Sequence, residues 1–202
     1  MTTGSLRMVA ILLALHAVFL SAFLLRLFGL VRPGHRLGLD TAPATVERYA
    51  NPHANALLMV HGMGFAVFYW GLLSALSANR LPVGFIRPAL SIAVVVLAIG
   101  LLSWAFLVFR SWRLLAELDR GHELCTEGPF GFVRHPIYLA CDLLAIGTAI
   151  WVTTPAVLVG TALVIGGGDL RARAEERILL AAFGERYRDY MNRARRLIPG
   201  LY

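Results

Sequence analysis

Long apolar blocks alternate with short, arginine-bearing polar segments along this chain, and the block lengths predict membrane helices. The first block, residues 8–30, is too long for a secretory leader and lacks a small-residue cleavage site before Arg26. It reads as a span, with His16 packed inside it and Arg26 snorkelling to the interface. Residues 56–78 form the second block, where Gly62, Gly64, Ala66 and Gly71 suit close helix packing. Residues 89–109 form the third. Its helix is expected to run on out of the membrane through residues 111–121.

The fourth block, 137–165, is broken by Asp142 and by Thr153-Thr154-Pro155. Thr-Thr-Pro is a helix-start signal. It therefore predicts a tight hairpin of two short helices, 137–152 and 155–166. The triple glycine Gly166-Gly167-Gly168 ends the hydrophobic part and reads as a flexible hinge. Residues 169–195 then predict a charged amphipathic helix, interrupted at Phe183-Gly184. The expected fold is an all-α integral membrane protein. It has about five transmembrane helices, including the C-terminal hairpin, and a cytoplasmic amphipathic helix follows. Residues 1–110 form a three-span anchor and 111–202 carry the chemistry, as one integrated domain.

Composition sharpens this picture. The chain is 58% hydrophobic and only 15% charged, against about 25% charged in soluble domains. All 19 basic residues are arginine, and the formal charge is +7. The arginines flank apolar blocks, so the charge speaks for membrane orientation and against nucleic acid. With five spans, Arg32, Arg36, Arg48, Arg110, Arg113, Arg120, Arg134 and eight arginines after Asp169 share one side. Arg7, Arg80 and Arg87 lie on the other. The asymmetry places the C-terminus in the cytoplasm, with the chain in a bacterial or archaeal plasma membrane. Cys125 and Cys141 read as two free thiols.

Candidate chemistry concentrates at 127–142, EGPFGFVRHPIYLACD. Arg134-His135-Pro136 opens a helix, and exposed N–H groups there favour an anion. Glu175 and Glu176 lie on the charged segment that the hairpin brings back beside it. Charges of both signs can thus meet at the membrane surface, with a ring face from Tyr138, Phe130 or Phe132. A zwitterionic, sulfonium-bearing ligand such as S-adenosylmethionine suits that setting. Asp142 is a carboxylate one turn inside a membrane helix, where ionisable groups are functional or paired. No Rossmann fingerprint, P-loop or metal-ligand cluster occurs in the sequence, and no metal is expected.

GPFGFVRHPIYLA, an apolar hairpin, and RARAEERILLAAFGERYRDYMNRARRLIP together resemble the isoprenylcysteine carboxyl methyltransferase family and the related membrane phospholipid methyltransferases. The resemblance covers about residues 114–199. It implies an S-adenosylmethionine-dependent methyltransferase acting on a lipophilic small-molecule, lipid or lipidated acceptor in the bilayer, with no nucleic-acid partner. It carries cofactor binding over to Gly128, Pro129, Phe132, Arg134, His135, Tyr138, Glu175 and Glu176. Arg173 would orient an acidic acceptor, and Glu175 or Asp142 would serve as base for an amine. Where members have glycine shortly after the motif tyrosine, this chain has Leu139-Ala140-Cys141. Two alternatives stand beside this reading: an NADPH-dependent sterol-type membrane reductase, and a non-catalytic membrane protein that retains the fold.

Overall fold

The computed structural model describes residues 3–29, 49–50, 52–78, 81–109, 112, 114, 117–118 and 124–202. The described residues form six α-helices: α1 Thr3–Leu27, α2 Pro52–Ser77, α3 Ile86–Val108, α4 Pro136–Trp151, α5 Pro155–Phe183 and α6 Glu185–Arg193. A 3-10 turn, Gly128–Gly131, precedes α4. One antiparallel ladder pairs β1 (Tyr49–Ala50) with β2 (Glu117–Leu118). The helix expected over 111–121 is absent where that range is described: residues 112 and 114 are not helical and Glu117–Leu118 pairs in the ladder, while the rest lies outside the described residues. So do Arg32, Arg36, Arg48, Arg80, Arg110, Arg113 and Arg120, on which the orientation argument leans.

Helices α1, α2, α3 and α5 are long and apolar enough to cross a membrane, while α4 has 16 residues. Many large apolar side chains point outward, among them Met59, Met63, Trp70, Leu97 and Leu107. That is the surface of an integral membrane protein, in which lipid covers what water would not. The predicted turn between α4 and α5 is present. The Thr154 side chain accepts a hydrogen bond from the Val157 N–H at 3.3 Å, and Pro155 occupies the first turn, where its missing N–H costs nothing.

The sequence reading fails at the triple glycine. Helix α5 runs without interruption from Pro155 through Gly166-Gly167-Gly168 to Phe183. The hairpin's second arm and the first half of the charged helix are therefore one rod. The glycines are a packing surface, not a hinge. Helices α2 and α5 run antiparallel, and glycines on both let the backbones touch. A Cβ at Gly71 would meet Ala156 Cβ at 2.8 Å. One at Gly160 would meet Phe68 Cα at 2.5 Å, one at Gly64 would meet Val164 N at 2.8 Å, and one at Gly167 would meet His61 Cα at 3.0 Å. Gly166 faces open space. The predicted break at Phe183-Gly184 is real: Gly184 closes α5 with φ of +53°.

The first helix is tied in by polar contacts as well as apolar ones. His16 bonds Tyr69 Oη of α2 at 3.1 Å and Thr148 Oγ1 of α4 at 2.9 Å. Arg26 does not snorkel. It is buried, and its Nη2 donates to the Phe109 carbonyl at 2.7 Å, joining the ends of α1 and α3.

The glycine seam predicts opposite outcomes for one substitution at two places. Gly160→Ala drives a methyl into the Phe68 backbone and should destabilise the protein by about 1–3 kcal/mol. Gly166→Ala meets nothing and should hold or raise stability, by up to about 1 kcal/mol. Thermal unfolding of both variants in detergent micelles checks this; equal midpoints would remove the seam.

Candidate active site

The segment before α4 is shaped by a close approach. Gly128 has φ of +57°, and a Cβ there would stand 3.0 Å from both Trp104 Nε1 and Val108 Cγ2 of α3. Only glycine fits. Pro129 is buried in the turn that follows, and Phe130 turns inward against Phe109 (ring centroids 5.2 Å apart). Phe132 turns outward and is 64% exposed.

Arg134 and His135, just beyond, are laced to the end of the chain. Arg134 N donates to the Arg195 carbonyl at 2.7 Å, and His135 N donates to the Arg196 carbonyl at 3.1 Å. Below this short parallel bridge sits Glu176, buried, between two guanidinium groups. Arg134 Nε donates to Glu176 Oε1 at 2.8 Å, with Nη2 at 2.7 Å. Arg196 donates to Oε2 from Nε at 3.1 Å and from Nη2 at 2.9 Å. Arg134 Nη1 also donates to the Ala194 carbonyl at 2.5 Å and the Met191 carbonyl at 3.3 Å, closing the C-terminal end of α6. Its hydrogen-bonding capacity is thus turned to the fold. The Glu176 carboxylate holds the Arg196 guanidinium above its ordinary pKa.

Glu175, one residue earlier, points the other way. Its Oε1 accepts from Tyr138 Oη at 2.6 Å and from Arg171 Nε at 2.9 Å. Its Oε2 stands 3.7 Å from His135 Nδ1. Arg171 also donates from Nη2 to the Leu114 carbonyl. The His135 Nε2 lies 3.5 Å from Glu176 Oε1, too poorly placed to count as bonded.

These groups border a cavity of about 500 Å³, within the range of roughly 300–1,000 Å³ usual for small-molecule sites. Arg134, His135, Tyr138, Arg171 and Glu175 gather in its polar part. The rest is apolar and aromatic, with Phe19 and Phe23 from α1, Phe65 and Tyr69 from α2, and Phe130, Tyr187 and Tyr190 near the chain's end. Burial pushes the Tyr187 and Tyr190 hydroxyls up, so both stay protonated. Among the described residues, the buried side-chain atoms without a hydrogen-bond partner include His61 Nδ1, His135 Nε2, Arg171 Nη1 and Tyr187 Oη. All four residues line this one cavity. Such atoms are costly to bury unless something pairs with them.

Of the residues singled out from sequence, Arg134, His135, Tyr138 and Glu175 therefore line the cavity. Gly128, Pro129 and Glu176 lie outside it and shape the segment that borders it, and Phe132 lies outside it with its ring exposed. Asp142 is buried in α4 behind the wall, with Oδ1 unpaired. Arg173 lies outside, exposed, donating to Asp169 Oδ2 at 2.8 Å and to Tyr202 Oη at 2.7 Å. Sequence reasoning passed over His61, Arg171, Tyr187 and Tyr190. A histidine inside an apolar block was a signal for the first, and the one-turn spacing from Arg171 to Glu175 for the second.

Comparison with known proteins gives one family. The profile of the phospholipid methyltransferases matches residues 86–186, from the start of α3 to the start of α6. No curated protein matches the chain.

The Glu176 cluster predicts a stability phenotype. Glu176→Gln removes the charge that two buried or half-buried guanidinium groups share, and should cost about 3–5 kcal/mol. Limited trypsin digestion should then cut faster after Arg193, Arg195 and Arg196. Unchanged cleavage rates would show that the clasp does not hold the chain's end.

Proposed function

This chain belongs to the phospholipid methyltransferase family, and on that premise we propose that it is an S-adenosylmethionine-dependent membrane methyltransferase acting on a lipophilic acceptor, in the manner of isoprenylcysteine carboxyl methyltransferases. The observation that carries the proposal is the cavity with three unpaired buried polar atoms in its wall, Arg171 Nη1, His135 Nε2 and Tyr187 Oη. The donor's chemistry fits this set: a carboxylate for Arg171 Nη1 and His135 Nε2, an ammonium for Glu175 Oε2, and a purine for the rings of Phe130, Tyr187 and Tyr190. The family match favours methyl transfer over the reductase alternative.

When bound, the donor supplies an electrophilic methyl group on a sulfonium. The protein's own part is to align and to keep water out. Tyr138 and Arg171 fix the Glu175 carboxylate from two helices, so that it meets a cation without reorganising. Glu176, Arg134 and Arg196 hold the segment that carries His135. The aromatic wall of α1 and α2 excludes water and offers a hydrocarbon-compatible surface for the acceptor's tail. An acceptor can then arrive from the bilayer and the donor from the cytoplasm, on the side where the arginine-rich tail resides. The ligand-orienting role expected of Arg173 belongs to Arg171 in this proposal, because Arg173 is engaged by Asp169 and Tyr202 at the surface.

His135→Ala and Tyr187→Phe should each weaken S-adenosylmethionine binding by about 1–3 kcal/mol, roughly 5- to 150-fold, with thermal stability retained. Arg173→Ala should leave donor affinity where it is. Isothermal titration in lipid nanodiscs measures all three. Unchanged affinity in both cavity variants would refute the donor site. Turnover should also climb with acceptor chain length at a fixed head group; equal turnover of short and long acceptors would point instead to a water-soluble substrate.

A further inference from the structure

The donor site leaves His61 of α2, an ionisable side chain of the cavity wall, without a role. Its ring is held in place by stacking on Phe65, with centroids 5.3 Å apart at 15°, and by Tyr138 at 5.7 Å. Its Nδ1 is buried and unpaired. Behind it, Asp142 Oδ1 of α4 is also buried and unpaired. The two atoms border the same gap. A Cβ on Gly168 of α5 would lie 3.6 Å from His61 Nδ1 and 3.8 Å from Asp142 Oδ1. The absence of a side chain at Gly168 thus leaves space in which one water can join imidazole and carboxylate.

A purely structural histidine in this fold looks different. His16 is just as buried, yet both its nitrogens are satisfied, by Tyr69 and by Thr148. His61 has neither arrangement. Unpaired ionisable groups inside a membrane helix bundle mark function more often than packing.

We propose that His61 is the proton acceptor for a protic methyl acceptor, an amine or a thiol, and that Asp142 is the residue that positions it. The proposal rests on the methyl-transfer reading above. With Nδ1–H directed at Asp142, the Nε2 lone pair is left for the cavity. The acceptor's nitrogen or sulfur lone pair forms the new bond to the donor's methyl carbon. The bond from that carbon to the sulfonium sulfur breaks, and its electron pair stays on sulfur as a neutral thioether. The proton carried by the acceptor moves to His61 Nε2 and from there to water. A carboxylate acceptor carries no proton and has no use for His61, so the residue discriminates between acceptor classes. The titratable groups around His61 are Tyr69 on its own helix, Tyr138, Cys141 and Asp142 on α4, and Arg171 and Glu175 on α5.

The test uses the full chain in nanodiscs with labelled S-adenosylmethionine and three acceptors of one chain length: dodecylamine, dodecanethiol and dodecanoate. His61→Gln should lower kcat on the amine and the thiol by about 10²- to 10⁴-fold. Donor affinity and dodecanoate turnover should stay unchanged. Asp142→Asn should cause a smaller loss on the same two acceptors and move the acid limb of their pH–rate profile. Independently of activity, ¹⁵N spectra of histidine-labelled protein without donor should show His61 as the Nδ1–H tautomer, lost in Asp142→Asn. Equal loss on all three acceptors, no loss on amine and thiol, turnover of dodecanoate alone by the wild type, or an Nε2–H tautomer in the wild type would overturn the proposal. If the wild type binds no donor, the methyl-transfer reading fails, while the tautomer still decides whether His61 and Asp142 form a pair.

Discussion

The buried carboxylate of Glu176 is the contact on which the arrangement of the site depends. It lies in the second half of α5, yet its two oxygens hold the arginine that precedes α4 and an arginine six residues from the chain's end. Three stretches far apart in sequence therefore meet at one charge. Each guanidinium alone would be expensive to bury, and so would the carboxylate. Together they cancel, and the hydrogen bonds take up most of the donor capacity of Arg134. The backbone pairing of Arg134 and His135 with Arg195 and Arg196 follows from this, as does the closed end of α6.

The same helix does two jobs along its length. Its first half is a glycine-lined rod against α2, and its second half carries Arg171, Glu175 and Glu176. Since nothing interrupts the rod at Gly166-Gly167-Gly168, packing inside the membrane fixes the angular position of the charged groups at its surface. Glu175 and Glu176 are adjacent in sequence and so point about 100° apart on the helix. One faces the cavity, and the other faces the clasp. A pair that looks redundant in sequence is thus divided between the cavity and the architecture.

Helix α2 contributes more than an anchor. Through Gly64, Gly71 and Phe68 it supports α5, and through His61, Phe65 and Tyr69 it forms part of the cavity wall. The polar groups of the cavity come from the motif region and α5, whereas much of its apolar surface comes from α1 and α2. That division suits a site that takes a polar donor and a lipophilic acceptor together.

The sequence by itself determined the elements. Apolar block length set α1, α2 and α3, Thr154-Pro155 set the α4–α5 turn, Gly184 set the break before α6, and the Gly-Pro to Arg-His-Pro-x-Tyr run marked one wall of the site. These features are local: they depend on propensity, capping and hydropathy over a few residues. Only the tertiary structure decided the rest. Three consecutive glycines favour a hinge in isolation, but a facing helix with its own glycines makes them a packing seam, because close backbone contact outweighs the entropy that glycine loses. Whether Arg134 binds a ligand or a neighbour, which of Arg171 and Arg173 turns inward, and which aromatic of Phe130 and Phe132 is buried all depend on helix rotation and on residues distant in the chain. His61 joined the site for the same reason: its neighbours Tyr138, Asp142 and Gly168 lie on other helices, and no window of sequence contains them.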